Sequence, residues 1–182
     1  MRIDRMTWVI GLLVAIWLVA LLNLVSGYSL NGWFGLQPRA ISGLDGVLLM
    51  PLLHGSLSHA AANTVPLIVL GAVIATTAER VALTATALIV LLGGFAVWVF
   101  GTSAIHVGAS GLIFGWFGFL VARGIFERRI VPMLVAGAVV LVYGTMIWGV
   151  LLGQPGVSWE SHLFGALAGV LAAFVLRNDD AH

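Results

Sequence analysis

Three short polar clusters open long apolar stretches of this sequence, and their side chains could do chemistry together. The first cluster contains His59 and Asn63, the second contains Ser110, and the third contains His162. Polar side chains within membrane spans are energetically costly and are candidates for function. A serine hydroxyl beside an imidazole can act as a nucleophile activated by a general base. We therefore predict that Ser110 is a catalytic nucleophile and that His162 is its base.

A serine hydrolase also needs hydrogen-bond donors for the oxyanion that forms during acyl transfer. His59 and Asn63 are four residues apart, which places them on one face of a helix. Ser110 stands at a predicted helix start, where backbone N–H groups have no partner within the helix. We predict that His59, Asn63 and the backbone N–H of Ser110 form the oxyanion hole.

The sequence predicts a Ser–His dyad and not a triad. All seven acidic residues fall at predicted helix ends or in loops, and Glu160 is two residues before His162, on a different helix face. Another group must therefore orient the imidazole. Phe114 is one turn after Ser110 on the same face, and its ring is expected to pack against His162. No metal and no cofactor is expected.

The composition indicates an integral membrane protein. The 182 residues are 61% hydrophobic and 8% charged, with a mean hydropathy of +1.12, whereas soluble domains carry about 25% charged residues. This length predicts a single membrane domain over 1–182. The net charge of +1 leaves no basic surface for nucleic acid, and the absence of cysteine excludes disulfides and thiolate chemistry.

The spacing of the charged residues predicts six spanning helices, since a span needs about 20 residues. Seven of the eight basic residues, all arginines, lie inside if the N-terminus is cytoplasmic, and only Arg39 lies outside. Arginine without lysine, beside abundant Ala, Val and Gly, is typical of a GC-rich bacterial genome, so we expect the bacterial plasma membrane. The expected fold is all-α, with an apolar outer loop at 27–53 lying partly in the lipid. The helices are predicted at about 7–26, 57–78, 82–100, 109–122, 131–152 and 158–177.

Ser110 and His162 are predicted to lie at nearly the same depth. Thirteen positions separate Ser110 from Arg123, and fifteen separate His162 from Arg177. At 1.5 Å per residue, these separations are about 20 and 22 Å. Both side chains would then lie roughly 10 Å below the outer boundary of the hydrocarbon core, and the site would open to the extracytoplasmic side.

Glycines in the fourth and sixth helices predict a close helix contact beside the candidate dyad. Small residues at such spacing allow two membrane helices to approach closely. Gly71, in the second helix, is away from this contact and is expected to tolerate alanine. The two glycine stripes are Gly111, Gly115 and Gly118 in the fourth helix and Gly165 and Gly169 in the sixth.

Together these residues resemble the motifs of the rhomboid intramembrane serine proteases. The matching motifs are His54…His59-x-x-x-Asn63, Gly108-x-Ser110-Gly111 and His162-x-x-Gly165-x-x-x-Gly169. The resemblance implies a six-helix bundle, a Ser110–His162 dyad and a structural role for His54. It also implies that the substrates are transmembrane proteins, that they enter from the lipid bilayer, and that they are cut within or beside a transmembrane helix.

Two positions depart from the family pattern. Many members carry a Trp-Arg pair in the first outer loop where this chain has Asp45 and Gly46, which bears on how that loop is anchored. Many members also have tyrosine where this chain has Phe114, so ring packing is kept and any role of the hydroxyl is lost.

Two other function classes fit part of the sequence. A metal-ion transporter could use His54, His59 and His162, but the span interiors offer no acidic ligand, and His54 and His59 face different sides of a helix. A catalytically inactive rhomboid-like protein could bind membrane clients, but such proteins typically lack the serine or the histidine. There is no His-Glu-x-x-His motif and no aspartate within a span, which argues against zinc and aspartyl proteases. His106 is assigned to an outer loop without a role.

Overall fold

The computed structural model describes residues 5–151 and 158–177. Within them, six helices are long and apolar enough to cross a membrane, and no β-strand is present. The predicted all-α, six-helix fold is therefore confirmed, while the cytoplasmic N-terminus stays a prediction. The predicted last residue of the fifth helix, 152, lies outside the described residues. The helices are α1 (Thr7–Val25), α2 (Leu57–Thr77), α3 (Ala82–Phe100), α4 (Ser110–Glu127), α5 (Ile130–Val150) and α6 (Trp159–Leu176).

Helix α4 continues past the position at which its first basic residue was expected to end it. Arg123 is buried, forms an i,i+4 ion pair with Glu127, and donates a hydrogen bond to the Thr77 carbonyl at the end of α2. Because its charge is compensated inside the protein, Arg123 does not need to reach water, and the helix runs on to Glu127. The predicted span 109–122 was therefore too short.

Helix α4 lies in the middle of the bundle: 67% of its 18 residues are buried, against 11% of the most apolar 18-residue stretch of α5. Its backbone contacts that of α6 directly. A Cβ atom added at Gly165 would overlap the Gly111 carbonyl oxygen, and one at Gly169 would overlap the Gly115 carbonyl oxygen. The expected close contact between the glycine stripes is present, and it holds the first turns of α4 and α6 side by side.

Gly71 does lie away from the α4–α6 contact, but the structure contradicts the expectation that it tolerates alanine. A Cβ atom at Gly71 would lie 2.8 Å from Val9 Cγ1 and 3.2 Å from Trp116 Cζ3, because α2 packs against both α1 and α4 at this point. By contrast, Gly11 in α1 and Gly137 in α5 have nothing within 4 Å, so alanine would meet open space at either position.

The segment between α1 and α2 is anchored without the family's usual Trp-Arg pair. Asp45 accepts a hydrogen bond from the Gly46 N–H (2.9 Å), and Gly46 packs so closely on the Leu36 backbone that no Cβ atom fits there. Arg39 reaches across to the end of α3 and donates to the Gly101 carbonyl (2.7 Å). The short helices of this segment are Ser29–Phe34, Ile41–Gly43, Gly46–Leu49 and Met50–Leu52.

Candidate active site

A cavity of about 610 Å³ lies at the end of the bundle where α2, α4 and α6 begin, which we call the site end. This polar cavity brings together the side chains that the sequence singled out on three separate helices. Its lining consists of Ser110, His162, His59, Asn63, Phe114, Gly55, Ser56, Ser58, Val107 and Ser158.

Ser110 is the first residue of α4, so its backbone N–H has no acceptor in a preceding helical turn. The chain reaches this position through Gly108, whose φ of +125° suits glycine alone. A Cβ atom at Gly108 would also lie 2.8 Å from His59 Cε1. Gly108 therefore allows the His59 ring to lie directly against the turn that presents Ser110.

The imidazole of His162 is held by a backbone carbonyl and by an aromatic ring. Its Nδ1 lies 2.9 Å from the Gly149 carbonyl oxygen in α5, and the ring of Phe114 stacks on it with centroids 4.1 Å apart and planes at 5°. A carbonyl can only accept, so Nδ1 carries the proton. In the neutral ring Nε2 is then the unprotonated nitrogen, as a general base requires.

Gly149 had no signal in the sequence as a site residue, because the atom that contacts His162 belongs to the backbone. A Cβ atom there would lie 3.1 Å from Phe114 Cζ and 3.3 Å from His162 Nδ1. Glycine at this position thus permits the contact with His162. The carboxylate of Glu160, two residues before His162, accepts a hydrogen bond from the Thr102 N–H (3.2 Å).

Ser110 and His162 line the same cavity, but in the described part of the chain no hydrogen bond joins the Ser110 hydroxyl to the imidazole. Catalytic hydrogen bonds in empty active sites are often long and shorten only when substrate is bound.

His54 lies behind the cavity and is 1% exposed. Its Nε2 lies 3.1 Å from Asn63 Nδ2 and 3.4 Å from the Ala109 backbone nitrogen. Since a backbone N–H can only donate, Nε2 accepts, and Asn63 donates one of its two amide hydrogens to it. The second hydrogen of the Asn63 amide is left for another acceptor. Burial, together with the nearby His59, lowers the pKa of His54 to about 4, so the ring stays a neutral acceptor at pH 7.

Two asparagines that the sequence analysis did not single out hold the backbone of His54. Asn23 at the end of α1 donates to the His54 carbonyl (3.1 Å), and Asn31 donates to the same oxygen (3.2 Å). Asn23 Nδ2 also donates to Asn31 Oδ1 (2.7 Å). The only sequence signal for this cluster is Asn23, whose amide stands within an otherwise apolar helix.

His106 has a structural role, contrary to the expectation of none. It is 3% exposed, its Nε2 donates to the Thr102 carbonyl (3.0 Å), and its Nδ1 lies 2.6 Å from Ser158 Oγ. Its backbone pairs with that of Leu36. His106 thus joins the connection between α3 and α4 to the start of α6 and to the segment between α1 and α2.

Comparison with known proteins identifies the family. The model of the Rhomboid domain matches residues 43–179. The chain belongs to the rhomboid family. An uncharacterized protein of Mycobacterium tuberculosis is 40% identical over 188 aligned positions, which cover 95% of this chain and 78% of the relative. An uncharacterized protein of Mycobacterium leprae is 37% identical, covering 94% of this chain and 74% of the relative. Rhomboid proteins are in general intramembrane serine proteases, and this rhomboid chain is a multi-pass membrane protein with bacterial relatives.

Proposed function

We propose that this rhomboid chain is an intramembrane serine endopeptidase that hydrolyses peptide bonds within or beside transmembrane segments of other membrane proteins. One observation carries the proposal. The Gly149 carbonyl and the Phe114 ring fix His162 with its Nε2 unprotonated, in the same cavity as a serine at a helix start. This is the arrangement that a Ser–His dyad needs.

In the acylation half of the reaction, the Ser110 oxygen attacks the scissile carbonyl carbon while its proton passes to His162 Nε2. The carbonyl electrons move onto oxygen, and this oxyanion accepts hydrogen bonds from the Ser110 N–H, the free hydrogen of the Asn63 amide and His59. Collapse of the tetrahedral intermediate breaks the C–N bond. The leaving amine takes the proton from His162, and an ester to Ser110 remains.

Hydrolysis of this ester repeats the steps with water as the nucleophile. Water gives a proton to His162 Nε2 and attacks the ester carbonyl, and the oxyanion is bound by the same donors. Its collapse releases the carboxylic acid and returns the proton to the Ser110 oxygen. Neither half needs a metal, because the imidazole and the oxyanion donors supply the proton transfer and the charge stabilisation.

The position of the cavity sets where a substrate is cut. The cavity lies at the site end, and the arginine distribution favours an extracytoplasmic position for this end in the bacterial plasma membrane. A regular helix occupies its carbonyls in its own hydrogen bonds, so the substrate must unwind locally before Ser110 can attack. Glycine, proline and other small residues near the scissile bond should therefore favour cleavage.

Cleavage of a single-span reporter in liposomes tests this function. Wild type should cut it, and Ser110→Ala, His162→Ala and the double variant should all be inactive to the same degree, because a dyad acts as one unit. Gly11→Ala, with nothing within 4 Å of the new methyl group, is the matched control and should remain active. Cleavage by Ser110→Ala would refute the nucleophile. Absence of cleavage by a folded wild type that still binds the reporter would favour an inactive client-binding protein.

A further inference from the structure

A second cavity of about 280 Å³ adjoins the polar cavity, and we call it the side cavity. The two cavities share Gly55, His59, Val107 and Ser158 as lining residues. The remaining lining comes from the connection between α3 and α4 and from the first two residues of α6. A peptide segment with its scissile carbonyl at Ser110 could therefore continue into the side cavity past His59 and Ser158. The residues found only in the side cavity are Thr102, Ala104, Ile105, His106, Trp159 and Glu160.

Glu160 places a carboxylate in this cavity without a cation beside it. The residue is 4% exposed, and its Oε1 accepts from the Thr102 N–H (3.2 Å). No arginine forms an ion pair with Glu160 within residues 5–151 and 158–177, and the neighbouring sequence 152–157 contains no basic residue. Buried charges in proteins are normally paired. Hydrogen bonds from Thr102 and from its own backbone N–H hold this carboxylate, but among the described residues it has no ionic partner.

The nearby basic side chains, Arg39 and His106, make their hydrogen bonds to other groups. The guanidinium of Arg39 donates to the Val99 and Gly101 carbonyls and to the Ser103 hydroxyl. Both ring nitrogens of His106 are directed at other groups, the Thr102 carbonyl and Ser158 Oγ. The carboxylate of Glu160 thus faces a space that a cationic side chain could fill.

We infer that the side cavity is a substrate subsite in which Glu160 selects a lysine or arginine side chain a few residues from the scissile bond. This inference rests on the proposed protease function. An arginine would supply the missing countercharge and a planar set of donors that matches a carboxylate. Since lysine and arginine are depleted on the extracytoplasmic side of membrane proteins, such a preference would restrict cleavage to a small set of substrates.

A reporter series tests the subsite directly. Arginine, lysine, glutamine or glutamate is placed in turn at each position flanking the scissile bond, and kcat and KM are measured for wild type and Glu160→Gln. Glutamine keeps an oxygen that can accept from the Thr102 N–H and removes only the charge. At one position, wild type should prefer arginine over glutamine by about tenfold in kcat/KM, mainly through KM, and Glu160→Gln should lose this preference. The same residue preferences in both proteins would overturn the inference.

Binding without cleavage separates this inference from the proposed function. A fluorescent arginine reporter should bind Ser110→Ala about tenfold more tightly than Ser110→Ala/Glu160→Gln, and a glutamine reporter should bind both equally. Glu79→Gln is the matched control, since Glu79 is half exposed and pairs with Arg5 at the opposite end of the bundle. Thermal unfolding of each variant identifies a folding defect, and Glu160→Asp, which keeps the charge, should retain part of the preference for arginine. Equal binding of the arginine reporter with and without the Glu160 charge would refute the subsite even if the protein proves to be a protease.

Discussion

Replacement of Gly165 by alanine should inactivate the protein far more than it destabilises it. The added Cβ atom would overlap the Gly111 carbonyl oxygen and lie 2.9 Å from its carbon and 3.2 Å from the Gly111 Cα. All three atoms belong to the α4 backbone, so no side-chain rotation relieves the overlap. The helices would have to separate.

Helix α3 also packs against Gly165. Gly93 lies in the π-helical turn Ile89–Gly93 of α3, and a Cβ atom there would lie 3.3 Å from the Gly165 Cα. The strain is therefore shared among three helices. Over-packing of this kind typically lowers the free energy of unfolding by about 1–3 kcal/mol.

The effect on catalysis should be larger because His162 is one turn before Gly165. The Ser110–His162 hydrogen bond needs about 2.6–3.2 Å, and a displacement of about 1 Å at a reacting group can lower the rate by about 10²-fold. We predict this loss in kcat/KM for Gly165→Ala, and a greater loss for Gly165→Val. Reporter cleavage and thermal unfolding measured on the same samples check it, with Gly11→Ala as the control. Full activity of Gly165→Ala would show that α4 and α6 are not in backbone contact and would refute this reasoning.

Three further changes probe the groups around the polar cavity. Asn63→Ala should lower kcat by up to about 10²-fold with little change in KM, which is the low end of the usual rate loss when one oxyanion donor is removed. An unchanged kcat would refute the assignment of Asn63 to the oxyanion hole. Asn23→Leu should lower kcat in wild type but have little further effect in Asn63→Ala, because Asn23 acts through His54 on that amide; additive losses would contradict the coupling. Thr64→Val, which removes the hydrogen bond from Trp17 of α1 to α2, is the control and should have little effect. The pKa of His54, lowered from 6.5 to about 4, means that the folded state binds fewer protons than the unfolded state between these values. The contribution of His54 to the free energy of unfolding should therefore be fully present above pH 6.5 and should fall by up to about 3 kcal/mol as the pH drops to 4. Thermal unfolding of His54→Gln should show a weaker pH dependence over that range.

The helices and the set of residues at the polar cavity could be predicted because their signals are local. Charges that cannot enter lipid mark the ends of spans, and a serine or histidine within an apolar run is conspicuous. Helix periodicity then places His59 and Asn63 on one face. The same reasoning failed at Arg123, which is buried because a carboxylate and a carbonyl on α4 and α2 compensate its charge.

The groups that hold the site depend on contacts between distant parts of the chain. The Gly149 carbonyl that orients His162 is a backbone atom, and every residue of the chain has such an atom. The Asn23 amide reaches the His54 carbonyl only after α1 has packed beside α2. Gly71 was misjudged for the same reason, since its neighbours Val9 and Trp116 come from two other helices. Spacing along the sequence does not encode such contacts.

Labelling with a fluorophosphonate, which reacts with activated serines, tests the central claim that His162 activates Ser110. The protein in liposomes is treated with the probe, digested and analysed by mass spectrometry to locate the adduct. We predict one adduct, on Ser110, in wild type, and none in Ser110→Ala or in His162→Ala when both variants are folded. Labelling of Ser110 at the wild-type rate in His162→Ala, or an adduct on another serine in wild type, would contradict the account.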